Sequence, residues 1–263
     1  MAGRQKRLIR ASASPAAASN QWGVRWRPVA NPRLRLFCLP HSGGGATTYR
    51  AWAGSLGSDI DIVAIRLPGR ESRFREPPFS RISDLVPVLI RNLEPLLDRP
   101  HAWFGHSMGA LVAFEVCRVV RRHGLAEPRR LLVSGRPAPH LKPQDRPTYN
   151  TSDEEFMSLV TQLNGTPFEV QHDRSAFSAF VPTLRADFRM IESYRYYPEP
   201  PFDYPISVFG GTEDRVVAVE DLDSWRIHST AGCTIRLFPG GHFFLHKDQE
   251  KFMAAVTADL MSF

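Results

Sequence analysis

The run His101-Ala102-Trp103-Phe104-Gly105-His106-Ser107-Met108-Gly109-Ala110-Leu111 reads as a strand, a tight turn and a helix. Residues His101–Gly105 are short and apolar, as a strand covered on both faces should be. From Met108 the spacing becomes helical and continues to about His123, where Gly124 offers a C-terminal cap. Between them Ser107 stands in the pattern Gly-x-Ser-x-Gly. In this context Gly105 and Gly109 let two backbones approach, the Ser107 hydroxyl is raised above the sheet edge, and the helix N-terminus points at the same place.

Outward from that turn, the chain alternates strands and helices. Predicted strands are Arg33–Leu39, Ile60–Arg66, His101–Gly105, Arg130–Ser134, Ile206–Gly210 and Thr234–Phe238. Leu85, Val88, Leu89, Leu93 and Leu96 line one helical face, and a last helix is expected near Lys247–Leu260. Such alternation predicts an α/β fold with a mostly parallel central sheet flanked by helices. Residues 137–200 break the rhythm. Pro137, Pro139, Pro143 and Pro147 open an irregular stretch, Asp153–Leu163 reads as a helix capped by Ser152 or Asp153, and Phe177, Phe180, Val181, Leu184, Phe188 and Ile191 form one face of a longer helix with a kink expected in its first turns at Pro182. This is expected to be a helical lid insertion at the working edge of a single domain spanning 22–263.

Composition narrows the function classes. Thirty-three basic residues face 27 acidic ones, for a formal charge of +6. Arg4, Lys6, Arg7, Arg10, Arg25 and Arg27 account for the excess, and residues 28–263 balance. A nucleic-acid partner is not expected of a body without net basic charge. Residues 1–21, poor in large apolar side chains, read as a disordered basic leader. No apolar run approaches the roughly 20 residues of a membrane span. The three scattered cysteines, Cys38, Cys117 and Cys233, do not suggest a disulfide scaffold. The expectation is a cytoplasmic monomer without a metal or other cofactor.

A serine hydroxyl needs a base within hydrogen-bond reach. Among nine histidines, His242 in Pro239-Gly240-Gly241-His242-Phe243-Phe244 directly follows the last predicted strand. His246 is an alternative, the His106 side chain should diverge from that of the serine, and His228 reads as a surface residue. Asp214, in the turn after Ile206–Gly210, is the expected carboxylate, with Glu213 adjacent and open on spacing alone. The order Ser107, Asp214, His242 is that of the α/β-hydrolase fold. For the oxyanion, Met108 supplies one backbone N–H and the turn Pro40-His41-Ser42-Gly43-Gly44-Gly45 a second, at Ser42. No Gly-Lys-Ser/Thr ending follows those glycines, which argues against a phosphate loop. A dehalogenase or epoxide hydrolase would need a carboxylate at Ser107.

The sequence resembles the type II, external editing thioesterases of polyketide and nonribosomal peptide assembly lines, over roughly residues 31–258. The resemblance rests on Pro40-His41-Ser42-Gly43-Gly44, Leu67-Pro68-Gly69-Arg70-Glu71 with Glu76-Pro77-Pro78, Gly105-His106-Ser107-Met108-Gly109, Gly165-Thr166-Pro167, Leu184-Arg185-Ala186-Asp187-Phe188 and Gly240-Gly241-His242-Phe243. Ser42 stands where many members carry alanine, a change that a backbone donor tolerates. The resemblance implies Ser107 as nucleophile, Asp214 as acid, His242 as base and an oxyanion hole at Ser42 and Met108. It also implies acyl or peptidyl carrier protein domains as partners, the acyl group being carried on their phosphopantetheine arm. Phe177, Phe180, Leu184, Phe188 and Phe243 are candidates to line the acyl slot, and Arg70, Arg73, Arg75 and Arg185 to meet an acidic carrier. A general carboxylesterase or lipase, or a non-catalytic binding protein on a hydrolase scaffold, are the rival readings.

Overall fold

The computed structural model describes residues 21–141, 147–162 and 174–262. The proposed leader falls outside them except for Gln21, which donates to Glu76 Oε1 at 2.7 Å. The pattern Gly165-Thr166-Pro167 and the side chain of Phe177 also lie outside what is described.

Seven strands form one sheet in the order β1-β3-β2-β4-β5-β6-β7. They are β1 (Gly23–Val24), β2 (Leu34–Leu39), β3 (Ile60–Ile65), β4 (His101–His106), β5 (Arg130–Ser134), β6 (Ile206–Gly211) and β7 (Cys233–Phe238). All neighbours pair in parallel except β1, which runs antiparallel to β3. Each predicted strand is present to within one residue at either end. The two-residue β1 was not foreseen, because two residues carry no period. β7 departs from the expectation of strands buried on both faces: it is an edge, with Thr234 and Leu237 exposed.

The period of two in these strands divides the core into two layers. Phe37, Leu39, Val63, Ile65, Trp103, Leu131 and Val133 face α1 (Ile82–Leu93) and α2 (Met108–Arg122). Leu36, Cys38, Ile62, Ala64, Phe104, Leu132 and Phe209 face the 3-10 turn Ala46–Trp52 and the last helix, residues Gln249–Met261. Continuous apolar strands therefore need no exposed face. Trp103 stacks on Phe37 with centroids 4.4 Å apart, and truncating such a buried aromatic to alanine costs about 3–5 kcal/mol.

Between β5 and β6 stand α3 (Asp153–Gln162) and α4 (Arg174–Glu192); the last helix is α5. Ser152 is the α3 cap, its Oγ accepting Glu155 N–H at 3.2 Å. Phe156, Val160, Val181 and Leu184 bury one another, with Phe180 and Phe188 against them. Glu192, at the end of α4, ties back to the segment before α3: it accepts Thr148 Oγ1 at 2.6 Å and the Thr148 and Tyr149 N–H groups at 2.9 and 3.1 Å.

Candidate active site

Ser107 links β4 to α2 in a conformation that side chains avoid, φ 53° and ψ −113°. Steric closeness imposes it. A Cβ on Gly105 would lie 2.0 Å from Gly109 O, and one on Gly109 2.2 Å from Leu39 O. Backbone strain of this kind costs about 1–3 kcal/mol and persists only where the surroundings over-determine it. Here Ser107 N–H donates to Ser134 O at 2.8 Å, binding the turn to the end of β5. The preceding His106 diverges inward: it is buried, with Nδ1 3.0 Å from Ser134 Oγ.

The carboxylate and the imidazole come from the neighbouring strand ends. Gly211 closes β6 so near the loop after β7 that a Cβ there would lie 2.5 Å from Gly240 O. Thr212 N–H bonds Phe238 O and Glu213 N–H bonds Gly240 O, each at 2.9 Å. These ties deliver Asp214 to His242, with Oδ2 2.9 Å from Nδ1 and side-chain exposures of 1% and 8%. The alternatives fall away on placement: Glu213 is exposed with Lys247 Nζ 4.0 Å from it, and His246 stacks on Phe243.

The His106 and His242 rings lie 5.0 Å apart, so the loop carrying His242 stands beside the turn carrying Ser107. The structure records no hydrogen bond between Ser107 Oγ and His242 Nε2. Such contacts often tighten only in the substrate complex. Burial holds His106 well below its ordinary pKa, helped by His242, His41 and His246. Burial likewise lowers His41 to about 3, helped by His246, His242 and Arg70. Both are therefore neutral imidazoles near neutral pH, His106 beside His242 and His41 edge-on to His106.

The glycine-rich turn after β2 closes with Gly44 N–H on His41 O at 2.9 Å and Gly43 at φ +75°. This is a type II turn with Ser42 in its second position and glycine in the third, where a positive φ is required. The N–H groups of Ser42 and Met108 donate to no acceptor among the described residues. Phe180 and Leu184 rest on the turn: a Cβ on Gly43 would meet Phe180 Cζ at 2.7 Å and Leu184 Cδ1 at 3.0 Å. Phe188 packs edge-on against Phe156, 5.3 Å away, inside the α3–α4 cluster. Phe243 lies 5.2 Å from the His242 ring and 5.0 Å from that of His41.

A family model described as a thioesterase domain matches residues 34–260. The chain belongs to the thioesterase domain family. Gramicidin S biosynthesis protein GrsT of Aneurinibacillus migulanus is 37% identical to it over 230 residues, 88% of this chain and 90% of that one. The solved type II thioesterase BorB, from the borrelidin biosynthetic cluster, superposes with a TM-score of 0.85 at 35% identity, covering 93% of this chain and 99% of its own. The thioesterase RedJ, from the prodiginine pathway of Streptomyces coelicolor, gives a TM-score of 0.82 at 35% identity over 95% of this chain and 91% of its own. The thioesterase thus has the α/β-hydrolase fold with a helical insertion between β5 and β6.

Several readings change with the thioesterase folded. His228 is buried rather than on the surface, packed against Phe114 and Trp225, with its Nε2 2.9 Å from His140 Nδ1. Arg70 and Arg73 are unavailable to a partner. Arg70 pairs with Asp187 at 2.8 Å, and Arg73 pairs with Glu76 at 2.6 Å while covering the Trp22 ring. Arg185 is bound to Asp153 at 2.7 Å and lies over Phe156; Arg75 is exposed. Glu71, quoted only as part of a motif, accepts both the N–H and Oγ1 of Thr47 at 2.7 Å and pairs with Arg66. Among the described residues no cluster of three or more histidine, cysteine, aspartate or glutamate side chains is arranged to hold a metal, and no helix is long and apolar enough to cross a membrane.

Proposed function

We propose that this thioesterase hydrolyses acyl thioesters on the phosphopantetheine arm of acyl or peptidyl carrier proteins, clearing aberrant acyl groups from an assembly line. The observation that carries the mechanism is Asp214 Oδ2 at 2.9 Å from His242 Nδ1, beside the strained turn that bears Ser107. Family membership supports the thioester substrate, and the similarity to biosynthetic thioesterases such as BorB supports the assembly-line setting.

His242 Nε2 takes the Ser107 proton as Oγ attacks the thioester carbonyl. The carbonyl oxygen becomes an oxyanion received by the Ser42 and Met108 N–H groups. When the C–S bond breaks, the sulfur leaves as a thiol with the proton from His242. Water then gives a proton to His242 and attacks the acyl-serine. Collapse releases the carboxylic acid, and the proton returns to Ser107. Asp214 keeps the His242 proton on Nδ1 and stabilises the imidazolium. Water is the only co-reactant, so no cofactor is required.

The test is a panel of acyl-loaded carrier proteins alongside nitrophenyl esters, assayed with wild type and Ser107→Ala. Preferential loss of acyl groups from the carriers, abolished in Ser107→Ala, is expected. Equal or better hydrolysis of the simple esters would favour a general esterase. Failure of wild type to hydrolyse either, or to label with a fluorophosphonate, would favour a binding scaffold.

A further inference from the structure

Gly43 N–H, the donor in the middle peptide of the type II turn, leaves the turn altogether. It donates at 2.8 Å to Oδ2 of Asp187, a wholly buried carboxylate on α4. The same oxygen accepts Arg70 Nη1 at 2.9 Å, and Oδ1 accepts Nη2 at 2.8 Å. Arg70 Nη1 also donates to Gly44 O at 2.9 Å. One buried ion pair therefore grips two consecutive residues of the turn, the N–H of Gly43 and the carbonyl of Gly44. Thr183, one helical turn before Asp187, donates to Gly69 O at 2.7 Å and fixes α4 beside Arg70.

A type II turn relaxes to type I by rotating its middle peptide through roughly 150–170°. In the rotated form the Ser42 carbonyl oxygen would face the Asp187 carboxylate, oxygen against oxygen. The carboxylate thus excludes that form and holds Gly43 as donor. The rotation would leave the His41–Ser42 peptide unturned, so what the ion pair sets for the Ser42 N–H is the position of the turn, gripped through Gly43 N–H and Gly44 O. Stability alone does not account for the arrangement. A buried ion pair replaced by apolar side chains of similar volume is often neutral or better. An oxyanion donor, by contrast, must be held to about 0.5 Å.

We propose that Asp187, oriented by Arg70, is a positioning residue for acyl transfer: it fixes the turn from which the Ser42 N–H faces the oxyanion. This rests on the oxyanion role given to Ser42 above, and not on the preference for a thioester over an oxygen ester.

The experiment measures kcat and KM of Asp187→Asn and of the charge-free pair Arg70→Met with Asp187→Leu, per active site titrated with a fluorophosphonate. Any substrate that wild type turns over will serve, so a wild type active only on nitrophenyl esters would remove the carrier reading and leave this measurement intact. Loss of one oxyanion donor predicts a fall in kcat of about 100-fold or more, with KM little changed. The paired variant, which strands no charge, covers the case in which Asp187→Asn does not fold. Ser42→Pro deletes the N–H itself and suits the second position of the turn. In that background Asp187→Asn should lower kcat no further. A reduced Tm with wild-type kcat per titrated site, or a full additional loss on top of Ser42→Pro, would overturn the proposal.

Discussion

Asp214 meets His242 through one oxygen only, Oδ2 to Nδ1 at 2.9 Å, because its other oxygen is taken by the backbone. Oδ1 accepts the N–H groups of Val216 and Val217 at 2.8 and 3.2 Å. That division fixes what an asparagine would do. Its carbonyl oxygen would keep the two backbone donors, and its NH₂ would face Nδ1. His242 would then carry its proton on Nε2 and could not accept one from Ser107. Asp214→Asn should leave the fold intact and lower kcat by about 10⁴-fold, the loss measured for the same exchange in a serine protease. Steady-state kinetics with far-UV circular dichroism checks this; a fall of less than tenfold would contradict the tautomer argument.

The turn that carries Ser107 depends on missing side chains. In Gly109→Ala the new methyl would meet Leu39 O at 2.2 Å and Pro40 O at 2.7 Å, both backbone atoms that no rotamer change can clear. Overpacking of this kind costs about 1–3 kcal/mol. A lowered urea midpoint and loss of fluorophosphonate labelling are expected; wild-type values for both would show that the turn has room.

Acid should weaken the protein through its buried histidines. His101 and His228 are buried and lowered from 6.5 to about 4, burial being the main cause at each. Between those values the unfolded chain binds protons that the folded chain refuses. Stability is then complete above about pH 6.5 and declines as pH falls toward about 4. Urea midpoints across that interval should drop, and His228→Phe, seated among Phe114, Trp225 and Tyr196, should flatten the decline. Midpoints independent of pH in wild type would exclude the effect.

Phe180 rests on Gly43 of the turn proposed to receive the oxyanion, and on that proposal it limits the acyl chain. Phe180→Ala should shift kcat/KM toward longer chains, by up to about fourfold for each methylene newly buried at 0.8 kcal/mol. An unchanged ratio between short and long acyl substrates would confine Phe180 to packing α4.

The strand ends that carry Ser107, Asp214 and His242, and the meeting of the last two, are legible because each piece carries a local signal. Gly105 and Gly109 bracket Ser107 at fixed spacing, and Asp214 and His242 each follow an apolar strand. What escaped the sequence is non-local or has an unexpected period. Asp187 and Arg70 are 117 positions apart, and nothing in either segment announces that their charges meet. The polar run around His228 reads as surface. Yet Leu222, Trp225 and His228, the buried residues of the 3-10 segment Val219–His228, recur at intervals of three, the repeat of that helix. The edge position of β7 depends on sheet order, which strand composition does not encode.

The central claim is that Ser107 carries the acyl group between thioester and water. Rapid quenching of the enzyme with a slowly hydrolysed acyl-carrier substrate, followed by peptide mass spectrometry, tests it most directly. The account predicts a transient adduct of the acyl mass on the peptide containing Ser107, absent in Ser107→Ala. Turnover by Ser107→Ala at the wild-type rate, with no adduct on either protein, would contradict it.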